Sequence, residues 1–134
     1  MPAILRRVND CPFCARVAHG SEHSSRAAVA FDDGFPVAEG HMLVVPRRHV
    51  SRVEHLEASD WSDLFALVRE VARALTARPG VDGVNVGYNS GPAAGQTVEH
   101  AHVHVIPRRM GDVADPRGGV RHVIPDQAAY WSHR

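Results

Sequence analysis

The sequence predicts an α+β fold built on a mainly antiparallel sheet. Three observations carry that reading: short apolar runs of strand length, two-residue alternation in the later ones, and one long amphipathic helix between them. The 134 residues (14.6 kDa) suit a single domain over residues 1–134, and 44% hydrophobic content is enough for a core. Fifteen basic residues cancel fifteen acidic ones, with pI near 7.2, which argues against a protein that wraps nucleic acid by neutralising phosphates. No run of about 18 apolar residues exists, so no membrane partner is expected. The segment MPAILRRVND lacks the apolar centre of an export signal, and the expected compartment is the cytoplasm.

The elements follow in order. The first twenty residues read as irregular and contain Cys11-Pro12-Phe13-Cys14. Residues 27–31 form a first strand, ended by the turn signal Asp32-Asp33-Gly34; Gly40-His41 opens a second over 42–45, stopped by Pro46. Residues 59–77 form the helix, with Trp61, Leu64, Phe65, Val68, Val71, Ala72 and Leu75 on one face. Ser59 is its expected N-cap, Asp60 and Asp63 complement the dipole, and Pro79-Gly80 ends it. Alternation of Val84, Val86 and Tyr88 marks a third strand, and residues 98–106 a fourth. Beyond Arg109 the chain turns rich in Gly, Asp and Pro, with a short apolar run at 120–124 and a tail carrying Tyr130 and Trp131.

Ten residues are His, and three of them, His100, His102 and His104, fall at alternate positions of the fourth expected strand. Alternate side chains share a face, roughly 6.6 Å apart along the strand. Ala101, Val103 and Val105 would then take the core face. Such a strand needs polar residues on its wet side, and histidine can fill that role alone. The preceding loop with Gly91, Gly95, Gln96 and Thr97 offers backbone N–H groups and a hydroxyl able to cradle a phosphate oxygen. Together they suit phosphate chemistry, one imidazole attacking phosphorus and another supplying a proton.

The run from Gly95 to Arg108, GQTVEHAHVHVIPR, resembles the signature of the histidine triad (HIT) superfamily, and so does the run from Phe31 to Pro46, FDDGFPVAEGHMLVVP. The resemblance covers residues 11–109; a tail, 110–134, lies beyond it. It implies a five-stranded, mainly antiparallel sheet with one long helix and a short N-terminal helix, in a homodimer that joins two sheets into one. It further implies binding of a nucleotide and cleavage at its α-phosphate through a covalent nucleotidyl-histidine. By matching positions, His102 is the nucleophile and His104 a proton donor near the leaving oxygen. His41 supports the phosphate and the triad, while Gln96 and Thr97 contact the phosphate or leaving group. Asp33, eight positions before the glycine-preceded His41, matches the ribose-binding residue. Phe31, Leu43, Asn89 and Gly95 match positions around the nucleotide. Pro107-Arg108 resembles the dinucleoside polyphosphate hydrolase branch more than the phosphoramidase branch. Selectivity beyond the α-phosphate is assigned to residues 111–119 and the tail near Trp131.

Cys11-x-x-Cys14 has the spacing of half a zinc site. Two further ligands could come locally, from His19 and His23. The alternative, implied by bacterial relatives with such a Cys pair, is His49 and His100, which would staple the N-terminal segment to the sheet. That zinc would be structural, and none is required for chemistry. Two other readings stay open beside the nucleotide hydrolase: a nucleotide-binding module with little turnover, and a metallohydrolase with His100, His102 and His104 around one metal.

Overall fold

The computed structural model describes residues 10–133. The segment read for an export signal lies, apart from Asp10, outside the described residues. The elements are α1 (Pro12–His19), β1 (Ala28–Asp32), β2 (Met42–Pro46), α2 (Ala58–Thr76), β3 (Gly83–Gly87) and β4 (Val103–Arg108), with short 3-10 turns between and after them. The strands form one antiparallel sheet in the order β1-β2-β4-β3. Among the described residues it has four strands, one fewer than the resemblance implies. Ser24 adds only an isolated bridge to Val29, and the apolar run at 120–124 winds into a 3-10 turn with its valines exposed. No helix among the described residues is long and apolar enough to cross a membrane.

Alternation along the strands sends side chains to two separate cores. Ala28, Ala30, Met42, Val44, Val103 and Val105 pack beneath α2 against Leu64, Leu67, Val68, Val71 and Leu75. Val29, Phe31, Leu43 and Val45 face the other way, covered by Phe13 and Val17 of α1. On that second face the register aligns Phe31, Leu43, His104 and Gly87 in one row across four strands. The row spans the sheet from an aromatic wall to an imidazole about 10 Å away, two strand spacings.

Three expectations are corrected. The fourth strand begins at Val103, not 98, because the chain before it bonds elsewhere: the Ala101 N–H donates to Val50 O at 2.7 Å. His100 and His102 therefore precede the strand and are buried rather than wet. The helix starts one residue early, with Glu57 as N-cap and no side-chain cap, so Ser59 caps nothing. Asp63 instead reaches back to accept from Ser25 Oγ (2.6 Å) and Ala27 N (2.8 Å), and Asp60 pairs with Arg26 at 3.1 Å. Both carboxylates sew the approach of β1 to α2. Trp61, expected in the core, is 36% exposed, while Leu67, one turn from Leu64, is buried.

Candidate active site and metal cluster

Ahead of β2, Gly40 adopts φ +93°, and a Cβ there would lie 3.0 Å from Arg78 Nη1, so the turn requires glycine. It delivers His41, buried, between Asp33 and His104. The Val37 N–H donates to His41 Nδ1 at 3.1 Å, which leaves the proton of the neutral ring on Nε2. That Nε2 lies 2.9 Å from His104 Nδ1 and 3.4 Å from Asp33 Oδ2. With Nδ1 accepting, the proton of His104 sits on its own Nε2. His102 is fixed in the opposite sense: its Nδ1 donates to His100 O at 2.8 Å, leaving Nε2 as a lone pair. Burial pushes His104 down to about 4, with His102 and His41 adding to the effect; burial also lowers His102 and His41, and for His41 Asp33 opposes it. All three rings are neutral at pH 7.

A cavity of about 460 Å³ opens beside these rings, within the size range of small-molecule sites. Of the residues singled out from sequence, Phe31, Asp33, Leu43, Asn89, Gly95, Thr97, His102 and His104 line it. His41 stands behind it, touching His104. Gln96 does not face it: Nε2 donates to Ser51 O (2.6 Å) and Val98 O (3.0 Å), and Oε1 accepts from Gly91 N (2.8 Å). This side chain braces the loop that carries Gly95 and Thr97. Sequence reasoning missed Phe13 and Arg16 of α1, which form one wall. Phe13 meets His102 edge-on at 5.0 Å and Phe31 at 5.8 Å. The signal was available only as an aromatic residue between two cysteines.

Cys11, Cys14, His49 and His100 converge, each offering one ligand atom, all within 4.8 Å of one another. Cys14 Sγ lies 3.2 Å from His49 Nδ1 and 3.4 Å from His100 Nδ1, and the two Nδ1 atoms are 3.1 Å apart. His100 Nε2 donates to Pro46 O at 2.8 Å, so its Nδ1 carries a lone pair aimed at the sulfurs. Burial keeps that ring neutral, pushing it down to about 4, and burial with Cys11 alongside lifts the Cys14 thiol to about 11. Four ligand atoms meet at one point with the His100 Nδ1 lone pair aimed among them, a set that a cation would draw together by displacing the thiol protons. A closed two-sulfur, two-nitrogen set fits tetrahedral zinc. His19 and His23, the local alternative, are not in the cluster. The three-His metal reading fails on geometry, since both nitrogens of His100 are committed away from His102 and His104. Asp33, His41 and His104 also lie close together, but His41 presents a donor to His104, not a lone pair.

The HIT domain family matches residues 24–111 of the chain, and the protein belongs to that family. Over 93 residues it is 38% identical to a protein of Schizosaccharomyces pombe named bis(5'-nucleosyl)-tetraphosphatase (asymmetrical), covering 69% of this chain and 51% of that one. Over 77 residues it is 39% identical to the bis(5'-adenosyl)-triphosphatase of Dictyostelium discoideum, covering 58% and 52%. The chain thus spans about half the length of these two relatives. A zinc-bound histidine triad family protein from Mycobacterium smegmatis superposes with a TM-score of 0.71 at 29% identity, covering 96% of this chain and all of the other.

Proposed function

We propose that the protein is a nucleotide hydrolase that cleaves at the α-phosphate of a nucleoside phosphate derivative, a dinucleoside polyphosphate or a phosphoramidate. The observation that carries this reading is the tautomer of His102: Nδ1–H held by His100 O, Nε2 a lone pair, on a ring that lines the cavity. Nε2 attacks the α-phosphorus, forming a P–N bond as the P–O bond (P–N in a phosphoramidate) to the leaving group breaks. A departing phosphate oxygen takes the electron pair, hydrogen-bonded by the Nε2–H of His104. A departing phosphoramidate nitrogen takes the pair with that proton and leaves as the amine, and the incoming water returns a proton to His104. Water then displaces His102 from phosphorus, releasing its surplus proton to solvent, and the nucleoside monophosphate leaves. The nucleoside lies along the row from His104 to Leu43 and Phe31, with Asp33 receiving the ribose hydroxyls. Thr97 and Gly95, at φ +92°, contribute to the phosphate end. The leaving group extends toward the segment 111–119.

Zinc is proposed to sit between Cys11, Cys14, His49 and His100, where it supplies a structural cross-link with no open position for water. Its ligand His100 also presents the carbonyl that orients His102, and its ligands on α1 hold Phe13 over the cavity. The partner is proposed to be a second copy of the chain. Strand β3 is a sheet edge, and beside it Trp61, Val86 and Tyr88 are each over a third exposed, with Trp61 stacked on Phe65 at 4.7 Å.

Turnover of diadenosine polyphosphates and adenosine phosphoramidate by the wild type and His102→Ala tests the assignment. The substitution is expected to lower kcat by at least about 1,000-fold, with AMP still bound. Equal rates would remove His102 as nucleophile; sluggish rates on every substrate would favour the binding-module reading.

A further inference from the structure

Arg16 is the one Arg or Lys among the described residues that lines the cavity. It stands one helical turn after Phe13 on α1, exposed, with its guanidinium carbon 4.4 Å above the ring of Phe31. Arg26 and Arg108, away from this cavity, are occupied: Arg26 by Asp60, Arg108 by Asp112 and Asn85. The Arg16 guanidinium makes no hydrogen bond or ion pair to any described residue, and its contact is the face of the Phe31 ring. Five N–H donors with no acceptor therefore stand at the wall of a cavity otherwise bounded on that side by Phe13, Phe31 and Leu43.

Position decides what these donors meet. Phe31 is on β1, two strand spacings from His104 on β4, so the guanidinium is at the nucleoside end and not the phosphate end. We propose that Arg16 reads the base and selects guanine-type purines, whose O6 and N7 are adjacent acceptors, over adenine. The inference rests on the nucleotide site described above and names its substrate class. Guanine O6 and N7 match the guanidinium fork with two parallel hydrogen bonds. Adenine places its N6 amino donor where O6 would be, so donor faces donor. Resting on Phe31 keeps the fork in place and reduces the entropy lost on binding.

The test is calorimetric binding of GMP, IMP and AMP to the full chain purified with zinc. IMP keeps O6 and N7 and lacks the 2-amino group. GMP and IMP are expected to bind about tenfold tighter than AMP. In Arg16→Met, which keeps an aliphatic stem over Phe31, and in Arg16→Lys, which keeps the charge without the fork, the ratio is expected to fall within about twofold. Equal affinities in the wild type overturn the inference and leave the nucleotide reading standing. Arg16→Met weakening all three ligands alike, with Arg16→Lys restoring them, overturns it in favour of a phosphate contact. Failure of all three to bind overturns both.

Discussion

Each histidine beside the cavity has one ring nitrogen committed to a fixed partner, a backbone group for His41 and His102 and the His41 ring for His104, and from that commitment the state of the other follows. Val37 N–H sets His41, His41 sets His104, and the carbonyl of His100 sets His102. The same burial that keeps the rings neutral makes the fold sensitive to acid. Above the unfolded value near 6.5 neither state of His104 holds the proton. As pH falls from there toward about 4, the unfolded chain takes up a proton that the native state refuses, and stability declines. Thermal melts between pH 7.5 and 4.5 should show a falling Tm, with a shallower decline in His104→Gln. A flat profile would contradict the burial of a neutral ring. At this scale His102, His104 and Asp33 were legible because each sits in a run whose spacing and residue types match a known signature. The bonds of Gln96 to Gly91, Ser51 and Val98 were not legible, because an amide able to contact phosphate is equally able to close its own loop.

Helix α1 has eight residues, none fully buried, and is too short to persist alone. What holds it is the Cys-His cluster together with Phe13 and Val17 against the sheet. Cys14→Ser should abolish bound zinc by elemental analysis and lower Tm by about 10 °C or more. KM should rise more than kcat falls, since a cavity wall is loosened. An unchanged metal content would refute the ligand set. Asp63→Ala should cost about 1–3 kcal/mol in urea unfolding, because it frees Ser25 and the Ala27 N–H ahead of β1. A loss under 0.5 kcal/mol (roughly the exposed-surface level) would mean those bonds are replaced by water. The strands and α2 were legible from period alone. The exact start of β4 was not: histidines look equally at home on a strand and on the irregular chain leading into one. The long-range pull of Cys11, Cys14 and Pro46 on His100 leaves no local pattern.

At the scale of the whole molecule, no strand among the described residues pairs with the outer side of β1 or of β3. Light scattering of the purified protein should give twice the 14.6 kDa chain mass. Tyr88→Asp, which places a charge in the apolar patch beside β3, should shift the mass toward the monomer, and a monomeric wild type would remove the shared-sheet proposal. The two faces of the sheet divide the labour: α2 covers the one that supplies stability, and α1 half-covers the one that holds the row from Phe31 to His104. Antiparallel architecture was readable from alternation and turn residues; the register that assembles this row was not, because it depends on which strands become neighbours.

Mass spectrometry of the protein quenched in alkali during incubation with a dinucleoside polyphosphate addresses the proposed chemistry most directly. A nucleoside monophosphate adduct on the peptide bearing His102, absent from His102→Ala, is the expected finding. Steady turnover with no adduct on that ring, or undiminished turnover by the variant, would contradict nucleophilic attack by His102.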